Sequence, residues 1–161
     1  MSARRSRVPK AGHDHAHCVS DALASAERVC EASGEKLTAL RRRVLELVWE
    51  SHRPVGAYAL LDRLRGDGRS AAPPTVYRAL EFLVGQGLVH RVESLNAYVG
   101  CAHPGERHAI QFLICKDCGT AVELDDGAVA EAIDRGAARI GFAVAARTVE
   151  ATGTCADCRN R

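Results

Sequence analysis

The sequence predicts an α+β protein in two parts: a helical first half ending in a short hairpin, and a mixed α/β second half closed by four cysteines. Three observations carry that reading. Apolar residues recur at helical spacing through most of the first half. Two short strand-like runs, 88–93 and Ala97–Gly100, then flank the turn Ser94-Leu95-Asn96. Beyond them stand two C-x-x-C pairs, Cys115 with Cys118 and Cys155 with Cys158.

The elements follow in order. Residues 1–18 are polar and carry His13, His15, His17 and Cys18; their composition predicts a disordered tail that binds metal loosely. From Ser20 the stripe Leu23, Ala26, Val29 and Cys30 predicts a helix, with Gly34 as its stop. Thr38 is a good N-cap for a second helix bearing Leu40, Val44, Leu45, Val48 and Trp49. Its other side holds Arg41, Arg42 and Arg43, read as a solvated face with phosphate contact as the alternative.

Gly56 opens a third helix with Leu60, Leu61 and Leu64 inward, which stops at Gly66-Asp67-Gly68. Pro73-Pro74-Thr75 starts a fourth, because Pro suits a first helical turn and not the interior. It runs to about Gly85 with Val76, Leu80 and Leu83 buried. Helices followed by a hairpin are the order of a winged helix-turn-helix, whose last helix enters the DNA major groove. That unit spans 19–100, and Pro104-Gly105 marks a hinge over 101–107. In the remainder, 108–161, strands are predicted at 109–114, 120–124 and 143–151. A helix at 125–141 lies between the last two, with Val129, Ile133 and Ile140 on one stripe.

Each C-x-x-C turn aims two thiolates at one ion, so Cys115, Cys118, Cys155 and Cys158 together supply the four sulfurs of a closed tetrahedral zinc site. A redox dithiol needs one pair, not two. The gap of 36 residues between the pairs exceeds a zinc ribbon's, so the metal must close a whole helix-strand unit. So small a unit has little core and is expected to depend on zinc and on a partner subunit.

Composition is that of a globular protein, 47% apolar and 26% charged over 161 residues, and no apolar run is long enough to span a bilayer. A cytoplasmic protein without membrane contact is expected. Residues 1–91 carry 15 Lys/Arg against 10 Asp/Glu, and residues 92–161 carry 7 against 10. The basic half is therefore the one suited to a polyanion. Neither H-E-x-x-H nor the deaminase H-x-E occurs, and no phosphate loop or nucleophile elbow is present. An enzyme acting on a small molecule is not expected.

The run Pro74-Thr75-Val76-Tyr77-Arg78-Ala79-Leu80, the hairpin with His90, and Ile114-Cys115-x-x-Cys118-Gly119 resemble the ferric uptake regulator family over roughly residues 20–158. The resemblance implies a dimeric metal-responsive repressor, with a winged helix and a C-terminal dimerisation domain. The His-His-x-His run of the iron-responsive members is absent from 106–110. The chain is more similar to the zinc-responsive members, in which His90, Cys101, His108 and Glu123 correspond to the regulatory zinc site. His103 is the alternative to His108, whose offset from Cys115 matches the family. Two zinc ions per subunit are implied. A thiolate beside two imidazoles and a carboxylate suits zinc better than harder ions. That donor set weighs against an iron-, manganese- or peroxide-responsive regulator, the alternative reading beside a zinc buffer.

The partner expected is a double-stranded DNA operator, read by a homodimer. Arg78 is the residue expected to read a base, since Arg pairs bidentately with guanine. Thr75 and Tyr77 are expected to hold phosphates, with packing against a neighbouring helix as the alternative for Tyr77. The resemblance adds Tyr58 as a DNA contact. Asp62 and Arg65 share one helix face; the resemblance implies a bridge between two dimers on one operator, and an ordinary surface pair is the other reading.

Overall fold

The computed structural model describes residues 15–51, 53–106 and 108–160. Four helices come first: α1 (His15–Ser33), α2 (Ala39–Trp49), α3 (Ala57–Gly66) and α4 (Pro73–Gly85). The hairpin β1 (Val89–Val92) and β2 (Ala97–Gly100) follows, joined by the 3-10 turn Glu93–Leu95. Then come β3 (Ile110–Cys115), β4 (Ala121–Glu123), α5 (Gly127–Arg139), β5 (Thr148–Gly153) and the short α6 (Ala156–Arg159).

The first four helices bury one stripe each, as helical periodicity requires. Leu23, Ala26 and Cys30 of α1 meet Val44, Leu45, Leu47 and Val48 of α2, with Leu60, Leu61 and Leu64 of α3 and Val76, Ala79, Leu80 and Leu83 of α4. Thr38 caps α2 by accepting from the Arg41 backbone N–H, and Pro73 occupies the first turn of α4. The hairpin closes the unit through Tyr98, which exchanges two backbone hydrogen bonds with Val55 at 2.9 Å. This is the winged helix that the order of elements predicts.

The arginine run of α2 is engaged within the domain. Arg43 grips Asp67 at 2.6 Å and also reaches Glu46 and Glu50, and Arg42 bonds Glu27. The Arg41 guanidinium lies 3.4 Å from the centroid of the Phe82 ring. All three arginines are half-buried and have partners within the domain.

The second unit is a three-stranded sheet in the order β4-β3-β5, antiparallel on one side and parallel on the other. Its core is small: Phe112, Ile114 and Ala121 pack against Val92 and Val99, which belong to the hairpin of the first unit. Five buried residues stand against eighteen in the first core. One face of the sheet is therefore completed by the wing. The other face is open around Leu113, 45% exposed, and Ile140 and Phe142 past the end of α5 are 81% and 64% exposed.

The elements differ from the sequence reading in several places. Helix α1 begins at His15, so residues 15–18 of the expected tail are helical; His17 and Asp21 form an i,i+4 pair at 3.4 Å that favours the added turn. His13 and the rest of the tail lie outside the described residues. The last strand is Thr148–Gly153 and not 143–151, because only those residues lie opposite the six of β3. Helix α5 ends at Arg139, which leaves Ile140 as its C-cap and off the half-buried stripe of Val129 and Ile133. The second C-x-x-C turn forms α6, a helix the sequence reading lacks.

Candidate metal centres and nucleic-acid interface

Among the described residues, two groups of metal-ligating side chains converge, each with its ligand atoms within 4.8 Å of one another. The first is Cys115, Cys118, Cys155 and Cys158. Strands β3 and β5 end side by side, Cys115 opposite Gly153, so each strand delivers its C-x-x-C turn to the same place. The Cys155 backbone N–H donates to Cys115 Sγ at 3.3 Å, and Cys118 and Cys155 sulfurs lie 3.8 Å apart. A tetrahedron of Zn–S bonds of about 2.3 Å has edges of about 3.8 Å, so the spacing fits the ion. All four are free thiols. Backbone N–H donors, that of Cys155 first, pull the Cys115 thiol down to about 6, while bonding by the Cys155 side chain pushes Cys158 up to about 12.

The second group lies between the two units. His90 comes from β1, Cys101 from the residue after β2, His108 from the approach to β3 and Glu123 from the end of β4. His90 Nε2 stands 3.2 Å from His108 Nε2, and Cys101 Sγ is 3.6 Å from the latter. Glu123 Oε1 is 2.7 Å from His108 Nε2 and 3.4 Å from His90 Nε2. A tetrahedral zinc with mixed N, O and S ligands has edges of about 3.3–3.8 Å; the 3.4 and 3.6 Å distances fall in that range and the 2.7 and 3.2 Å distances are shorter. His103, the alternative ligand, has its ring 6.0 Å from that of His108 and lies outside the group.

The donor chemistry of this group has one reading. The Glu106 carbonyl accepts from His108 Nδ1–H at 2.9 Å, which turns the Nε2 lone pair toward the other ligands. Glu123 Oε2 accepts from the Ala102 N–H at 3.0 Å, while its Oε1 is turned to the two imidazoles. Burial works against ionisation of Glu123, yet the bonds from His90 and Ala102 hold its carboxyl below the usual carboxylate range. Burial, and then the Glu123 charge, push the Cys101 thiol up to about 12. Lone pairs packed face to face in a low-dielectric site repel unless a cation lies between them. The residues fit a divalent ion with a soft ligand.

The hairpin's hold on this site comes from ordinary packing. The His90 ring meets Phe112 edge to face with centroids 5.9 Å apart. A Cβ on Gly100 would sit 2.2 Å from the Trp49 indole, so only glycine lets α2 press on the backbone just before Cys101. Neither Gly100, Glu106 nor Phe112 was marked by the sequence. Each acts through a contact with a residue distant in the chain, except Glu106, whose carbonyl carries no sequence signal at all.

The residues expected to meet DNA lie on α3 and α4. Thr75, Tyr77 and Arg78 are exposed on the first turns of α4, opposite its buried stripe. Tyr77 is 37% and Tyr58 65% exposed, so neither is a core residue. Asp62 and Arg65 are exposed on α3, and Arg65 Nε donates to the Ala71 carbonyl at 3.3 Å.

A winged helix joined to an α/β unit, with a metal-ligating cluster at the junction, defines a class: a DNA-binding regulator with a candidate metal site between its two units. The model of the Ferric uptake regulator family matches residues 32–152, and the chain belongs to that family. It is 42% identical over 137 residues to the Zinc uptake regulation protein of Escherichia coli (strain K12), covering 84% of this chain and 80% of that one. A structure described as a zinc uptake regulator complexed with zinc and DNA superposes with a TM-score of 0.82 at 40% identity, covering 88% of this chain and 95% of that one. The holo form of XcZur gives 0.78 at 44% identity over 86% of this chain and 97% of that one. Its apo form gives only 0.51 at 43% identity, covering 88% and 97%. At equal identity the chain therefore has the overall shape of the holo form. The family is one of transcriptional regulators, not of enzymes.

Proposed function

We propose that the chain is a zinc-responsive, DNA-binding transcriptional repressor of zinc-uptake genes, acting as a homodimer in the cytoplasm with two zinc ions per subunit. The observation that carries the reading is the convergence of His90, Cys101, His108 and Glu123 from both sides of the hinge. Zinc bound there would supply the positive charge that such a donor set requires. The rest is done by the chain. Cys115, Cys118, Cys155 and Cys158 hold the second unit together, and the four junction ligands set the angle between that unit and the winged helix. A dimer reads two half-sites, so its recognition helices must be spaced and tilted together. Metal and DNA affinities are then coupled reciprocally, by about 5- to 150-fold.

The uncovered sheet face around Leu113 and the half-buried stripe of α5 support dimerisation, since apolar area of that kind is normally covered. Asp62 and Arg65 are offered as the contact between two dimers on one operator. Thiolate ligation by Cys101 disfavours the iron-, manganese- and peroxide-responsive readings.

Operator binding measured at buffered free zinc tests the reading. Arg78→Ala should lose about 1–3 kcal/mol and relax specificity at one position, with zinc content unchanged. A uniform loss on every sequence would assign Arg78 to the backbone instead, unchanged binding would remove Arg78 from the interface, and a parent protein that binds no operator at any zinc concentration would leave a zinc buffer. Acidity gives a second check. The Cys101 thiol, pushed up to about 12, is protonated at neutral pH, so loading the site must release that proton. Apparent zinc affinity should fall about tenfold per pH unit lost below neutrality. Metal titration at several pH values measures the slope.

A further inference from the structure

The metal-ligating cluster touches the wing hairpin only at its base. Its tip is held by a different group. Glu150, on β5 of the second unit, accepts the Glu93 backbone N–H at 2.6 Å through Oε1 and the Ser94 N–H at 3.0 Å through Oε2. Those two donors open the 3-10 turn between β1 and β2, where the chain's own carbonyls leave first-turn N–H groups without partners. The Glu93 side chain, which would repel a second carboxylate, is drawn back to the wing by Arg91 at 3.4 Å. Arg91 is itself steadied by Asn96 Oδ1 at 2.9 Å. The Ser94 side chain and then the two backbone donors hold the Glu150 carboxyl below the usual carboxylate range, against the smaller effect of burial.

The register of the sheet explains the arrangement. Phe112 of β3 pairs with Glu123 on one side and Glu150 on the other, so the three share one row across the sheet and one face. That face packs on the hairpin. The metal ligand therefore stands at one end of the row, the aromatic in the middle, and Glu150 at the other end, two strand spacings or about 10 Å away. A contact at one point lets the hairpin pivot. Two contacts about 10 Å apart remove the pivot.

We propose that Glu150 is a metal-independent clasp, which fixes the wing on the second unit and so sets the zinc concentration at which the junction site fills. This rests on the reading of that site as the sensor. The apparent affinity of a ligand is its intrinsic affinity reduced by the fraction of protein already in the competent arrangement. The clasp raises that fraction before any ion arrives. Its loss should weaken zinc binding at the junction and zinc-free DNA binding by the same factor, about three- to tenfold for exposed, charge-assisted bonds.

The test uses the full-length protein with Zn2+ set by chelator buffers. Glu150→Ala should raise the zinc concentration for half-loading of the junction site, and for half-maximal operator binding, about three- to tenfold. Zinc in the four-cysteine site and the thermal transition should stay as in the parent. Glu150→Gln keeps one acceptor oxygen without the charge and should give a smaller shift in the same direction; it decides the matter if the Ala variant is unstable. Hydrogen exchange at the amides of Glu93 and Ser94, measured in a Cys101→Ser background, should be protected with Glu150 and fast without it. Half-loading concentrations within twofold of the parent, with equal exchange, would overturn the clasp. A Cys101→Ser protein that still responds to zinc would overturn the sensor reading instead, and the exchange measurement would still report on the clasp.

Discussion

Cys155→Ser should unfold the second unit while leaving the winged helix intact. The core of that unit is five residues, two of them borrowed from the hairpin, and α5 contributes no fully buried side chain. A structural zinc is worth on the order of 10 kcal/mol, which is as large as the whole stability of an ordinary domain at about 5–15 kcal/mol. Nothing in so small a core replaces it. Serine offers no thiolate, and the backbone N–H of residue 155 loses the geometry that bonds Cys115 Sγ. The variant should lose that ion, its dimer and all operator binding at any zinc concentration. Circular dichroism should retain the signal of α1 to α4, whose eighteen-residue core is separate from the site. Metal analysis, sedimentation and a thermal melt would measure this; a variant that stays dimeric and melts as the parent does would contradict it.

Cys101→Ser should separate sensing from folding. The thiol is buried 2% exposed at the junction, and its removal leaves two imidazoles and a carboxylate around a weaker ligand. The four-cysteine site lies in another part of the sheet and should keep its zinc, with the dimer preserved. Operator affinity in the presence of zinc should drop toward that of the metal-free protein, by about 5- to 150-fold. Substitution of cobalt for zinc supplies the spectroscopic check, since a thiolate from position 101 adds a ligand-to-metal band that the serine variant should lack. Operator binding that still rises with zinc as in the parent would remove this cluster from the switch.

Much of the molecule is legible in local patterns. The stripes of α2, α3 and α4, the Thr38 cap, the Pro73 start and the two C-x-x-C turns each report on a handful of neighbouring residues. Their physics is short-range: helical periodicity, caps and ligand spacing. The boundaries that moved depend on partners instead. β5 is as long as the β3 edge it pairs with, and α1 gains a turn from an i,i+4 contact. The four junction ligands were reached through family resemblance rather than through spacing, because 33 positions separate the first from the last and no short motif joins them.

From its order of residues alone, this protein was committed to a winged helix, a four-sulfur closure and a soft-ligand metal chemistry, because those choices are made within a turn or a strand. Only the tertiary structure could decide that His103 stands aside from His108, that Phe112 lines up Glu123 with Glu150, and that the wing is gripped at both ends. Those facts are sums over contacts between segments some 10 to 60 residues apart, and such sums exist only once the chain has closed on itself.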